Sequence, residues 1–295
     1  MLKLIKSYMM PIAMTLGVLF HEQVGRLAFV TPYLIFIMLL FTYSKISLSD
    51  LRFTRMHMYL IAFQIAGSVV IYYLLRPISE ILAQGVMICV MAPTATAAPV
   101  IAGILGGNIA SLTAYSLISN FSVAVFAPLF FSFAGYNDLP FTISFLQIAE
   151  KVGILLIVPF IIALIINKLL PKTGLLIKKY SSISFYLWSV ALVIVTGRTV
   201  QFIKMQGTEQ LTVEVAMAVF ALIVCLIQFL GGRTIGKKFN DTVSGGQGLG
   251  QKNTILAIWM AQTFLNPLSS IAPGAYVLWQ NAFNSWQVWK RRKIY

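Results

Sequence analysis

Two short stretches of this sequence place polar residues inside otherwise apolar segments. The first, PTATAAP, holds two threonines between Pro93 and Pro99, and the second is GGQGLGQKNT. Hydroxyls, side-chain amides and an ammonium are groups that can hold an anionic solute. We therefore predict a set of substrate-binding residues from both stretches: Thr94, Thr96, Pro99, Lys252, Asn253 and Thr254.

Both stretches also predict an interruption of the helix that contains them. Proline removes a backbone donor and clashes with the preceding turn, and glycine is a poor helix former. Peptide groups freed in hydrocarbon are costly unless protein, water or a ligand satisfies them, so such a break favours a binding site. For the first stretch alone, the alternative is a proline kink that only shapes the packing.

Lys252 is the most unusual of these residues, because a lysine at the centre of a bilayer costs about 2.5 kcal/mol or more. Its ammonium could replace a metal cation, exchange a proton during a reaction cycle, or attract an anion directly. Glu150 is a candidate counter-charge if its helix begins near Phe141. The alternatives are that Lys252 extends to the membrane surface and that Glu150 lies among the headgroups.

Asn120 and Gln262 are further polar residues in apolar segments, and we predict that they contact substrate, with interhelical hydrogen bonding as the alternative. Cys89 and Cys225 lie in separate apolar runs, which favours a packing role for both over a disulfide. The sequence suggests no metal site and no resident cofactor.

The composition indicates an all-α membrane protein. The chain has 295 residues, of which 59% are hydrophobic and 10% charged, whereas a soluble domain has about 25% charged residues. Its apolar runs approach or exceed the roughly 20 residues that cross a bilayer as a helix. Hydropathy predicts ten spans: 8–20, 27–44, 57–75, 80–105, 109–134, 144–167, 183–203, 211–231, 246–266 and 271–288.

The basic residues set the predicted orientation. Most of the 22 Lys and Arg residues fall in loops on one side of these spans, together with the lysines that precede the first span and the terminal KRRK. Cytoplasmic loops carry such an excess, so both termini are predicted to lie in the cytoplasm of a multi-pass cell (inner) membrane protein. The net charge of +14 therefore points to the lipid bilayer as partner and not to nucleic acid.

Ten spans with both ends on one side divide into two sets of five with opposite topology. The predicted repeats run roughly over 1–137 and 138–295, within one transmembrane domain. The two irregular segments, 80–105 and 246–266, are the fourth span of each half. Inverted repeats with matching broken helices are typical of secondary transporters, whose substrate binds where the two breaks cross near mid-membrane.

At these two segments the chain resembles the bile acid:sodium symporter family of secondary transporters. The resemblance rests on Pro93 to Asn108 and on GQKNT, where the family pattern commonly ends in Gln-Asn and a small residue. It implies ten helices in two inverted repeats, with inward transport of an organic anion, often driven by sodium. Gln64 and Ser116 match further positions of the family's ion site. Gln251 belongs to the second matching stretch, GQKNT.

Several positions depart from that family pattern. In the family pattern two sodium ligands follow the first break, but this chain has Ala98 and Pro99 there. The family also has an acidic residue before the second break, where this chain has Gly248. Lys252 occupies the family's glutamine position. We therefore predict altered or absent sodium coupling, with proton coupling, uncoupled transport or a displaced cation site as alternatives. The ion-coupling candidates are Lys252, Gln251, Ser116, Gln64 and Glu150.

The competing functions are an intramembrane enzyme and a non-transporting membrane sensor. Intramembrane hydrolysis needs a nucleophile with a base, two aspartates or a metal cluster. The two histidines, His21 and His57, lie near span ends, and the eight acidic residues lie mostly in loops. The sequence thus predicts a transporter of a small organic anion and no enzyme, while the particular anion and the oligomeric state are not encoded in any motif.

Overall fold

The chain is all-helical over the residues that the structure, a computed structural model, describes: 2–46, 51–135, 140–206 and 211–292. The helices in chain order are α1 Leu2–Leu19, α2 His21–Gly25, α3 Thr31–Tyr43, α4 Arg55–Leu75, α5 Glu80–Met91, α6 Ala98–Ile104, α7 Ile109–Ala134, α8 Phe141–Leu169, α9 Pro171–Lys179, α10 Ile183–Gln206, α11 Leu211–Lys237, α12 Thr242–Gly250, α13 Thr254–Phe264 and α14 Ile271–Arg292. Short 3₁₀ turns precede α3 and α14.

In the described part of the chain, six helical stretches are long and apolar enough to cross a membrane: His21–Tyr43, Arg55–Leu75, Ile109–Ala134, Phe141–Leu169, Ile183–Met205 and Leu211–Lys237. Met9–Leu19, Glu80–Met91 and Thr254–Phe264 are apolar but shorter. The last two are short because they are halves of interrupted segments. The predicted segments 80–105 and 246–266 each contain two helices, which are separated at residues 92–97 and 251–253.

The predicted last span, 271–288, lies in α14, which is not among these apolar stretches, and the other predicted spans differ from the helices mainly at their ends. The first helix starts at Leu2 and not near residue 8, and α2 precedes the second predicted span, 27–44, which covers most of a 3₁₀ turn and α3. Sequence analysis did not predict α9, whose lysine-rich composition has no apolar run. The predicted boundary between the repeats, at 137–138, lies outside the described residues.

Local sequence explains both interruptions. Pro99 lies in the first turn of α6, where its missing N–H costs nothing, so the second half-helix can begin there. After the second break, the Asn253 side chain caps α13 by accepting from the Leu256 N–H at 3.3 Å. Glycines bring α12 against α11, since a Cβ on Gly232 or Gly245 would collide with the backbone of the other helix.

The interrupted segments lie at the centre of the bundle. Every residue from Leu82 to Met91 in α5 is buried, as is every residue of α12 from Ser244 onward. By contrast, α8 and α11 bury one face and expose apolar residues on the other, as helices in contact with lipid do. The second break is therefore enclosed by protein, whereas the first is buried from Ala92 to Thr94 and reaches the surface at Ala97.

Candidate substrate and ion site at the two helix breaks

The two breaks are joined to each other through their backbones. Thr94 and Lys252 form an antiparallel bridge. The Ala95 N–H donates to the Gln251 carbonyl, and the Asn253 N–H donates to the Pro93 carbonyl, each at 2.8 Å. Backbone groups that the interruptions freed thus satisfy one another, which removes much of the cost of unwinding two helices inside the bundle.

Lys252 is buried, with 1% of its surface exposed. Its ammonium donates to the Val90 carbonyl at 2.8 Å, and among the described residues it forms no ion pair with a carboxylate. Val90 belongs to the last turn of α5, where carbonyls lack helical partners and the helix dipole favours positive charge. The structure thus places the ammonium at a helix end suited to a cation, away from the protein surface.

Gln64, a residue of α4, binds the same C-terminal end of α5. Its side-chain amide donates to the carbonyls of Met91 at 2.6 Å and Ala92 at 3.2 Å. Its carbonyl oxygen accepts hydrogen bonds from Tyr115 at 3.1 Å and Ser119 at 2.9 Å. Gln64 is fully buried, so this glutamine links the C-terminal end of α5 to α7.

Thr94 holds the first break against α12 and α7. Its hydroxyl donates to the Gly248 carbonyl at 2.7 Å, and its N–H donates to the Ser119 hydroxyl at 3.2 Å. Gly248 has no room for a side chain, because a Cβ there would lie 2.9 Å from the Tyr115 ring. In the family pattern this position carries an acidic residue. Here the space that its side chain would need is occupied by the Tyr115 ring.

Two side chains of α14 hold the second break, and sequence analysis did not single them out. The Gln280 side chain accepts from the Lys252 N–H at 2.8 Å and donates to the Lys252 carbonyl at 3.2 Å. Asn284 donates to the Gln251 side chain and accepts from Gln247 at 2.9 Å. Both residues are buried. Their spacing of one helical turn was the available signal, since it puts both amides on one face of α14.

The predicted substrate residues differ in access. Asn253 and Thr254 are buried beside Lys252, whereas Thr96 and Pro99 are half-buried, and Ala97 between them is exposed. Among the described residues, the Thr96 hydroxyl has no hydrogen-bond partner. Thr96, in the first break, and Pro99, in the first turn of α6, are therefore more accessible than the predicted residues at the second break.

Asn120 and Ser116 lie on α7 within one turn of Ser119, which touches the first break. The Asn120 amide donates to the Ser116 carbonyl at 2.7 Å. Its side-chain oxygen is buried and accepts no hydrogen bond in the described part of the chain. A buried acceptor without a donor is energetically costly, which makes this oxygen an exception among the buried polar groups of α7.

Two predicted residues are not brought to the paired breaks. Gln262, toward the end of α13, donates to the Val195 carbonyl at 3.3 Å and to the Thr199 hydroxyl at 3.0 Å, both on α10. Glu150 is exposed on α8, so it does not supply the buried counter-charge of Lys252. The hydrophobic pattern of α8 does not define its rotation, which is set by its packing against α3 and α7.

His57 and Ser111 form a pair that could suggest a nucleophile and base, with Nε2 and the hydroxyl oxygen 3.0 Å apart. However, Nδ1 accepts the Thr54 N–H at 3.3 Å as part of the capping box of α4. In the neutral ring the hydrogen is then on Nε2, which donates to Ser111. A general base must accept the serine proton, so this pair has the wrong polarity for activation.

The bundle and its paired breaks are those of a multi-pass membrane protein with an interior polar site. Residues 26–206 match the model of the Sodium Bile acid symporter family, so the chain belongs to this family of membrane transporters. The matched region includes the first break but not the second. No curated protein matches the sequence.

Proposed function

We propose that this protein is a secondary transporter that moves a small organic anion across the cell (inner) membrane by alternating access. Its ten segments form two inverted repeats whose broken members cross near mid-membrane, with both termini in the cytoplasm. Family membership supports transport, and the observation that carries the site is the backbone pairing of the two breaks around Thr94 and Lys252.

The anion binds beside the first break, where Thr96 offers a free hydroxyl and Pro99 is accessible. Asn253 and Thr254 form the N-terminal end of α13, whose dipole favours negative charge. The positive charge of Lys252 acts in the same direction through the protein interior. Asn120 supplies an acceptor for a donor group on the substrate, and Gln262 has a structural role away from this site.

The coupling of transport departs from that of a sodium symporter, because the ammonium of Lys252 takes the place of a carried cation. It binds the C-terminal carbonyl end of α5, which Gln64 also caps. A sodium site would need hard oxygen ligands and usually a carboxylate. Ala98 and Pro99 offer no side-chain oxygen, and Tyr115 fills the space next to Gly248. Sodium is therefore not a required co-substrate.

A fixed ammonium also limits how the transport cycle can proceed. Because the paired breaks remain joined to α5, α12 and α14, they move as one body while the outer helices rock against them. Transport is then either uncoupled or driven by protons, with proton coupling requiring that Lys252 release its proton to water during the cycle. Ser116 and Gln251 are polar residues of the same site, near the Lys252 ammonium that would release the proton.

The test is anion uptake into proteoliposomes, starting with a bile acid and a panel of small carboxylates, under imposed sodium or proton gradients. We expect uptake without sodium, and no binding of radioactive sodium to the purified protein. Uptake that depends strongly on sodium would refute the coupling proposal, and folded protein that transports no anion in the panel under any gradient would count against the anion substrate.

A companion variant tests the ammonium itself. Lys252→Gln should lower uptake about tenfold or more, since the charged hydrogen bond to Val90 contributes about 1.5–3 kcal/mol. Lys151→Gln, which removes an exposed lysine of α8, is the matched control and should stay within about twofold of the parent. Equal uptake by the parent and Lys252→Gln would exclude a role for the ammonium.

A further inference from the structure

A cavity of about 440 Å³ lies away from the helix breaks, at the basic ends of α11 and α14. Three cationic side chains line it: Arg233, Lys290 and Arg291. No carboxylate is among the described residues that line it, so the cavity is strongly attractive to an anion.

The cationic side chains are held in place by contacts with their surroundings. Arg233 donates to the Gln287 side chain at 3.3 Å. The Lys290 ammonium lies 5.4 Å from the centre of the Trp286 ring. The Arg291 guanidinium packs on Gly106, whose φ of 75° and lack of a Cβ allow this close approach. Positioned guanidinium groups match the geometry of a phosphate group.

The other side of the cavity is apolar. Leu230, Phe283 and Trp286 line it, and Leu230 and Trp286 are about half exposed, at 57% and 49%. Tryptophans beside basic residues mark the level of the membrane–water interface, where phospholipid phosphates lie. An apolar wall that continues onto the outer surface of α11 can accommodate an acyl chain, which a free phosphate ion does not have.

We propose that this cavity binds one anionic phospholipid, with its phosphate at Arg233, Lys290 and Arg291 and an acyl chain along Leu230 and Phe283. Basic pockets at the ends of membrane helices bind such headgroups. The site is independent of the transport proposal. Leu105, which caps the C-terminal end of α6, lines the same cavity. The bound lipid therefore contacts the first interrupted segment and stabilises its position.

Native mass spectrometry of the purified full-length protein in neutral detergent tests the proposal, with phosphatidylglycerol and phosphatidylcholine as probes. The protein should retain phosphatidylglycerol about a hundredfold better, since each of the three basic residues near an anionic headgroup contributes about a fivefold preference. The double variant Arg233→Gln/Lys290→Gln should lose most of this preference. The matched control, Lys237→Gln/Lys238→Gln, removes two exposed lysines outside the cavity and should keep it.

Two results would overturn the proposal. Equal loss of preference in the control would indicate a general surface-charge effect, and displacement of the lipid by equimolar glycerol 3-phosphate would indicate a site for a free anion. If the double variant does not purify as folded protein, Lys290→Gln alone decides the outcome, because Lys290 is exposed and its removal leaves no buried group unpaired. Its preference should fall about fivefold, and an unchanged preference would contradict the site.

Discussion

The two helix breaks are built differently, although each separates two short helices and the two pair through their backbones. The first, residues 92–97, contains prolines and small residues and becomes accessible at Thr96 and Ala97. The second, residues 251–253, is shorter and buried throughout. Backbone and neighbouring helices hold the first break, whereas polar side chains of α14 hold the second.

We propose from this difference that the two breaks have separate tasks. A buried break clamped by amides is a rigid support, and it presents the Lys252 ammonium to α5 at a fixed place. A break with an accessible hydroxyl and few side-chain bonds can adapt to a solute. We therefore expect changes at the second break to affect stability first, and changes at the accessible part of the first to affect substrate affinity first.

The largest effect is expected from Gln280→Leu, which removes both hydrogen bonds to the Lys252 backbone. Leaving the buried Lys252 N–H unpaired, while its carbonyl keeps only the Thr254 N–H as donor, should lower the free energy of unfolding by about 2–4 kcal/mol. Thermal unfolding in detergent with a thiol-reactive dye measures this, because Cys89 and Cys225 are buried free cysteines that react only after unfolding.

Asn281→Leu is the control for that variant. Asn281 follows Gln280 on α14, but its amide donates at 2.7 Å to the Val277 carbonyl of its own helix. Its replacement should change the free energy of unfolding by less than about 1 kcal/mol. Similar losses in both variants would mean that α14 tolerates no apolar substitution here and that Gln280 is not a specific clamp.

A pair of threonine variants separates the two parts of the first break. Thr94→Val removes the hydroxyl that bonds Gly248 and should cost about 1–2 kcal/mol of unfolding free energy. Thr96→Val removes a hydroxyl without a partner among the described residues. It should leave stability within about 0.5 kcal/mol and raise the transport KM about three- to tenfold. If Thr94→Val instead raised the KM and Thr96→Val instead lowered the stability, the roles proposed for these two residues would be wrong.

The smallest effect on transport is expected at Gln262, which joins α13 to α10 away from both breaks. Gln262→Leu should reduce stability by about 1 kcal/mol and leave the KM within about twofold of the parent. Uptake measured against substrate concentration checks this. A KM raised as strongly as in Thr96→Val would place Gln262 in the substrate path and extend the site along α13.

Local sequence was enough to predict a helical membrane protein and the two interruptions. Long apolar runs fold as helices in lipid because a helix satisfies its backbone hydrogen bonds within the segment, and proline or glycine at a helix end acts within one or two turns. For the same reason Asn253 could be expected beside the start of a half-helix. These features depend on residues that are neighbours along the chain.

Tertiary structure alone decided what the polar residues contact. The ammonium of Lys252 meets the carbonyl of Val90, far away in the sequence, and Gln280 clamps the same residue from a third helix. Glu150 and Gln262 had equally suggestive positions in the sequence but point elsewhere. Which face of a helix meets which neighbour depends on packing over the whole bundle, and hydropathy carries almost no information about that rotation when both faces of a helix are apolar.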